Sequence, residues 1–252
     1  MPRYFLEVAY KGSAYSGFQS QENANTIQAE VEKAFETLQR NEVLMTVSSR
    51  TDAGVHALQN FFHFDSILPF YLWKGVESAA HFTYRMNAIL PHDIVIKAFK
   101  AVTDDAHCRF DAISREYNYY IYRDKDPFLK ETALFFPYKL DVEKMQQAAA
   151  IVMEYSDFTS FSKRNTQVKT FICKVTQSKW LLDNSCLVYN VKANRFLRGM
   201  VRALTATMLK VGRSKISLDE FKAIIEAKDC TKASFSVPPH GLFLMRIEYS
   251  LK

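Results

Sequence analysis

The apolar residues of this 252-residue chain keep changing their spacing, and that alternation constrains the fold more than any other feature. Residues 3–10, RYFLEVAY, alternate with the two-residue repeat of a strand. A loop marked by glycine and serine follows. Asn25 then caps a helix, with Gln28 completing a capping box and Ile27, Val31, Ala34, Phe35 and Leu38 at helical spacing. Residues 43–48 and 59–65 read as strands, 69–89 as mostly helical, and 93–99 as a strand again. The second half repeats the mixture. Residues 116–123 form a strand, and Asp141 caps a helix holding Val142, Met145, Ala149 and Val152. Residues 171–182 and 186–193 pair about an Asp183-Asn184 turn. A long helix runs from about 195 to 211 and stops at Gly212. Ser217 and Glu220 make a capping box for the next helix, and residues 242–249 are a last strand. Strands joined by hairpins or single helices predict an α+β fold with largely antiparallel sheets. The polar stretch at 101–107 divides it into lobes 1–103 and 104–252.

The stretch SSRTDAGVHALQNFFHF, residues 48–64, sets a polar loop ending in Gly54 against an alternating strand. Arg50-Thr51-Asp52 at such a tip is either an Asx-type turn or a carboxylate aimed at a ligand, and turn statistics favour the former. An aspartate beside an arginine stays ionised at neutral pH, which makes it a nucleophile or charge stabiliser and a poor acid. A metal set of Asp52, His56, His63 and Asp65 has no supporting motif, and packed or paired histidines are expected. Lys11-Gly12 and Ser16-Gly17 lack the ending of a phosphate loop.

The net charge of +6 and isoelectric point near 9.0 favour a polyanionic partner. No stretch approaches the roughly 20 apolar residues that span a bilayer, and the first residues lack the features of a signal peptide. Cys108, Cys173, Cys186 and Cys230 are scattered, so a reducing cytoplasm is expected, with neither disulfides nor a zinc motif.

Three basic groups stand out. On a helix over 195–211, Arg195, Arg198 and Arg202 share one face, opposite Leu197, Val201, Leu204, Met208 and Val211. With no acid in the stripe, an anionic ligand or buried carboxylate weighs equally with a solvated face. Arg109, Arg115 and Arg123 interleave with Phe110, Tyr117, Tyr119 and Tyr120. SFSKRNTQVK, residues 160–169, carries Lys163, Arg164 and Lys169 among hydroxyls and amides. Both suit an RNA backbone with a stacked base, although a strand tyrosine usually packs.

The ordered motifs VAYKGSAYSGFQSQ, SSRTDAGVHALQN, NAILPHDIVI, CRFDAISREYNYYIY, DFTSFSKRN, NRFLRGMVRALTATMLKVG and GLFLMRIEY resemble the tRNA pseudouridine synthase A family along essentially the whole chain. Ser49 stands where many members have glycine and Phe18 where many have tryptophan. Arg198-Gly199 occupies a variable pair. The resemblance implies isomerisation of uridine to pseudouridine at positions 38 to 40 of the tRNA anticodon stem-loop. It implies two similar α+β lobes about a basic cleft, a homodimer, and neither metal nor organic cofactor. Asp52 matches the essential aspartate, Arg50 the arginine beside it, and Arg202 an arginine near it. Tyr117 matches the ring against the target uracil. Arg109 and residues 160–164, including Ser160, Phe161, Lys163 and Arg164, match positions that touch tRNA. Phe110 and Arg198 are expected to join them.

The residue types suit that reaction. It breaks C1′–N1, turns the uracil and rejoins it through C5, so nothing is oxidised. A carboxylate serves by adding to sugar or base, or by removing the C2′ proton. A non-catalytic RNA-binding module and a metal-dependent nuclease are the competing readings. The intact Arg50, Asp52 and Tyr117 oppose the first, and the lack of an acidic cluster opposes the second.

Overall fold

The structure, a computed structural model, describes residues 1–164 and 168–250. It is an α+β protein. Its contacts divide it into two units, Met1–Ile113 with the chain from Leu244 on, and Ser114–Phe243. Asn165, Thr166 and Gln167 of the basic 160–169 segment lie outside the described residues.

In the first unit, β1 (Arg3–Tyr10) pairs antiparallel with β3 (His56–Asp65) and with β4 (Ile94–Val102). The short β2 (Thr46–Val47) also pairs with β3. The final strand, β9 (Leu242–Tyr249), runs beside β3, where Gln59 Oε1 accepts from Ile247 N–H at 2.9 Å. The strict alternation of β1 puts Tyr4, Leu6, Val8 and Tyr10 inward. They meet α1 (Ile27–Gln39) and α2 (Ala79–Ile89) in a core rich in rings. Trp73 and Phe99 stand within 6.3 Å of each other and each within 6.3 Å of Phe64 and of Phe82, in stacked, tilted and edge-on pairs.

The N-terminal expectations need three corrections. The cap of α1 is Thr26, whose hydroxyl accepts from Ala29 N–H, and Gln28 is not its capping-box partner. Gln28 instead donates to the Met45 carbonyl at 2.9 Å, and Glu32 accepts from Met45 N–H at 3.0 Å. Those two bonds occupy the backbone of Met45, so the strand read over 43–48 shrinks to Thr46–Val47. The helical stretch read over 69–89 breaks into a single 3₁₀ turn, Phe70–Leu72, and α2. Gly75, with φ of 69°, and Ser78, which caps α2, separate them.

In the second unit, β5 (Ala112–Tyr122), β8 (Cys186–Ala193) and β7 (Val175–Asp183) form an antiparallel set, with β6 (Leu134–Phe135) parallel to β5. The strand read from 171 begins only at Val175, and the hairpin residues are Asn184 and Ser185. Asp141 caps α3 (Val142–Val152), and Ser217 with Glu220 forms the full capping box of α5 (Leu218–Glu226). These helices pack with α4 (Met200–Gly212).

α4 differs most from its expected form. It begins at Met200, so Arg195 and Arg198 lie outside it and no arginine stripe exists. Gly199 is the N-cap, with a left-handed φ of 77°. Every residue from Ala203 to Leu209 is buried. Thr205 and Thr207 satisfy their hydroxyls on the Val201 and Ala203 carbonyls, each at 2.8 Å.

Candidate active site

The loop carrying Arg50 and Asp52 is held at several points within the first unit. Ser48 N–H donates to the Phe61 carbonyl at 2.8 Å. The fully buried Asn60 accepts from Ser49 N–H at 3.3 Å, donates to the Ser49 carbonyl at 2.8 Å, and reaches the Tyr10 hydroxyl at 3.3 Å. Tyr10 shares a 2.8 Å hydrogen bond with Thr51 Oγ1. Phe18 N–H donates to the Thr51 carbonyl at 3.2 Å. A turn closes the loop, with Val55 N–H on the Asp52 carbonyl at 3.2 Å and Gly54 at φ of 77°. Asp52 is half-buried and Arg50 exposed.

The 11–18 segment is the other wall of this loop. Gly12 is buried against the Val55 backbone, and its N–H donates to His56 Nδ1 at 3.1 Å. His56 is therefore a packed histidine. Gly17, at φ of 110°, lies against the Thr51 carbonyl. Tyr15 donates to Asp93 at 2.6 Å, and burial together with that carboxylate pushes its phenol well above its ordinary range. Phe18 fills the space between Tyr10 and Phe62, with centroids at 5.3 and 4.8 Å. Asp65 grips Arg3 with both oxygens, at 2.7 and 2.8 Å. Of the four residues weighed as a metal set, His56 and Asp65 are thus committed elsewhere.

Arg109 and Phe110 lie together on the surface of the first unit. Phe110 is 74% exposed, and the Arg109 guanidinium stands 5.9 Å from its ring centre. An exposed ring beside a cation presents a face on which a base can stack.

In the second unit, Tyr117 on β5 is 9% exposed and meets Phe196 edge-on at 5.1 Å. Arg202, in the first turn of α4, donates from Nε and Nη2 to the Val237 carbonyl at 3.0 and 2.8 Å. Burial pushes up the pKa of the neighbouring Tyr119 phenol, the Arg202 charge opposing it, so Tyr119 stays protonated. Tyr119 donates to the Pro238 carbonyl at 2.8 Å. Ser160 and Phe161 are fully buried, so they shape their segment rather than face a ligand. Ser160 Oγ accepts from Asp229 N–H at 3.0 Å. Lys163 and Arg198 come together, with Lys163 N–H on the Arg198 carbonyl at 2.9 Å. The Lys163 stem lies over Gly199, where any side chain would crowd it. Lys163, Arg164, Lys228, Asp229 and Thr159 line a cavity of about 410 Å³, and Lys228 pairs with Asp157 at 3.0 Å.

Comparison with known proteins agrees along the whole length. The model of the tRNA pseudouridine synthase family matches residues 7–111 and 155–250. The tRNA pseudouridine synthase A of Porphyromonas gingivalis is 45% identical over 251 residues, covering 99% of this chain and 98% of that protein. The chain belongs to the tRNA pseudouridine synthase family. The protein of that name from Parabacteroides distasonis is 41% identical, covering 99% of this chain and 96% of its own. The one from Staphylococcus saprophyticus is 37% identical, covering 97% and 90%. A pseudouridine synthase is an isomerase, and that is this enzyme's class. Among the described residues, no helix is long and apolar enough to cross a membrane.

Membership in the synthase family directs attention to supporting residues that local sequence patterns do not reveal. Asn60, Tyr10, Gly12 and Gly17 set the position of the Asp52 loop through contacts far apart in the chain. One signal was available for Asn60: an amide in the middle of an otherwise apolar-facing strand must find partners inside.

Proposed function

We propose that this synthase converts uridine to pseudouridine at positions 38, 39 and 40 of the tRNA anticodon stem-loop, in the cytoplasm and as a homodimer, with Asp52 as the reacting carboxylate. The observation that carries this reading is the fixed Asp52 loop. Asn60, Tyr10 and Phe18 hold the residues beside Asp52 before any substrate binds. A preorganised carboxylate needs no reordering at the moment of reaction.

A stem uridine is stacked and paired, so it must be everted at a cost of a few kcal/mol. Tyr117, braced edge-on by Phe196, supports the everted uracil, and base–aromatic stacking returns about 1–3 kcal/mol. The Asp52 carboxylate then adds to the sugar or base, or removes the C2′ proton. C1′–N1 breaks, C1′–C5 forms, the C5 proton leaves, and the freed N1 takes up a proton, so the product is an isomer of the substrate. Arg50 and Arg202 orient the carboxylate. Arg109, Phe110, Lys163, Arg164 and Arg198 grip the RNA, the cations on phosphates and Phe110 on a base.

The test is tritium release from tRNA transcript labelled at uridine C5. Asp52→Ala is expected to abolish release while leaving tRNA affinity nearly intact. Turnover within a few-fold of the parent removes Asp52 from the reaction. Mapping pseudouridine in tRNA from cells lacking the protein checks the three positions.

A further inference from the structure

We propose that His63, His107 and Cys108 form a binding site for a late first-row divalent metal ion, zinc foremost, that clips the turn carrying Arg109 and Phe110 onto the sheet of the first unit. The donor atoms of the three residues all lie within 4.8 Å of one another. His63 Nδ1 is 3.1 Å from Cys108 Sγ, and the two imidazole centroids are 4.5 Å apart. Zinc takes nitrogen at about 2.0–2.1 Å and thiolate sulfur at about 2.3 Å, so small side-chain rotations bring this spread onto one ion.

The surroundings fix the donors. His107 Nδ1 accepts from the N–H groups of Arg109 and Phe110 at 3.1 and 3.4 Å, which leaves Nε2 as its donor to a metal. The Asp111 carboxylate accepts from His107 N–H at 2.7 Å and sets the turn. The Cys108 carbonyl accepts from the Tyr249 hydroxyl at 2.6 Å, on β9. Cys108 is fully buried and His63 nearly so, while His107 is half-buried and gives the ion a way in. The Cys108 thiol donates to the Thr46 carbonyl at 3.3 Å, a bond it gives up when it loses its proton to become a ligand.

The donor chemistry selects the ion. Two imidazoles and a thiolate suit zinc and its neighbours, whereas calcium and magnesium need oxygen. Binding takes the Cys108 proton, which passes to solvent, so one proton leaves per ion bound. The ion has no part in the isomerisation. Its effect is to pin residues 107–111, and with them the exposed Arg109–Phe110 pair, to β3.

The experiment uses the full chain without an affinity tag, stripped with chelator, reconstituted with zinc and passed over a desalting column. Metal content is then measured, and cobalt is substituted to read the spectrum. Roughly one ion per chain is expected, with a thiolate-to-cobalt charge-transfer band. Cys108→Ala and His107→Asn are each expected to reduce retained zinc to near zero and abolish the band. Cys173→Ala, a buried cysteine elsewhere, keeps both. His107→Asn, at a half-buried position, gives the answer if Cys108→Ala fails to fold. A parent that retains no zinc, a cobalt spectrum without the band, or either folded variant retaining the parent's content overturns the proposal.

Discussion

Gly12→Ala is the sharpest test of how the Asp52 loop is positioned. A methyl carbon built on Gly12 overlaps the Val55 carbonyl oxygen, 2.8 Å from its carbon and 3.2 Å from its nitrogen, where real Cβ atoms essentially never come closer than 3.0 Å. The obstacle is backbone, so no rotamer change relieves it. One of the two segments must withdraw by about 1 Å, a displacement that by itself can cost an active site roughly 100-fold. Overpacking costs about 1–3 kcal/mol. Withdrawal also parts Gly12 N–H from His56 Nδ1, and an orphaned buried donor costs about another 1–3 kcal/mol. The expected loss is about 2–6 kcal/mol of stability, read from the urea midpoint. Val55 closes the turn on the Asp52 carbonyl, so the same shift moves the carboxylate. Single-turnover tritium release is expected to fall about 100-fold at saturating tRNA. Ser13→Ala, next door and exposed, should stay within about 0.5 kcal/mol of the parent and react normally. A Gly12→Ala protein matching Ser13→Ala in both measurements would refute the claim that this contact sets the loop.

Asn60→Leu leaves the N–H and carbonyl of Ser49 without their partner, which predicts a loss of about 2–4 kcal/mol in urea unfolding and a clear drop in turnover. Phe110→Ala removes an exposed ring, so tRNA affinity should fall by about 1–3 kcal/mol in a filter-binding titration while the unfolding midpoint holds. His63 gives a pH signature in chelator. Burial, helped by His107 and Arg3, lowers its pKa from 6.5 to about 4, so the fold holds it neutral. Its contribution is complete above pH 6.5 and is lost as pH falls towards 4, because the unfolded chain takes up the proton first. The loss is up to about 3 kcal/mol, and His63→Gln should flatten that part of the stability–pH curve.

The elements that could be read from the sequence are those whose causes are local. β1 and β9 follow from alternation over eight residues, and the caps at Asp141 and Ser217 from a side chain satisfying N–H groups three residues on. The long helix misled because its first turn fits the apolar period while its backbone is committed elsewhere. Asn194 exchanges hydrogen bonds with Lys174, and its carbonyl accepts from Arg115 Nη1 at 2.9 Å. The Arg198 carbonyl accepts from Lys163 N–H. A glycine inside a helix costs about 1 kcal/mol, and those tertiary bonds add to the reason Gly199 becomes a cap. Arg198 is thereby placed by Lys163 rather than by helical phase, and Arg202 starts a different element.

The same division between local and distant causes runs through the candidate site. The residues that carry charge sit in a short motif, Arg50 to Gly54, which is why spacing and residue type could single them out. What fixes their geometry is spread over β1, the 11–18 segment and the centre of β3. Tyr10 and Asn60 are fifty positions apart in the chain, yet they meet at 3.3 Å and both bond the loop. A loop held only by its own turn would sample several arrangements of Asp52, and each added anchor narrows that set. If Asp52 is the reacting carboxylate, as proposed, the anchors act on catalysis by positioning its loop. Losing any one of them should weaken turnover more than it weakens tRNA binding, since the turn carrying Arg109 and Phe110 is set by His107 and Asp111.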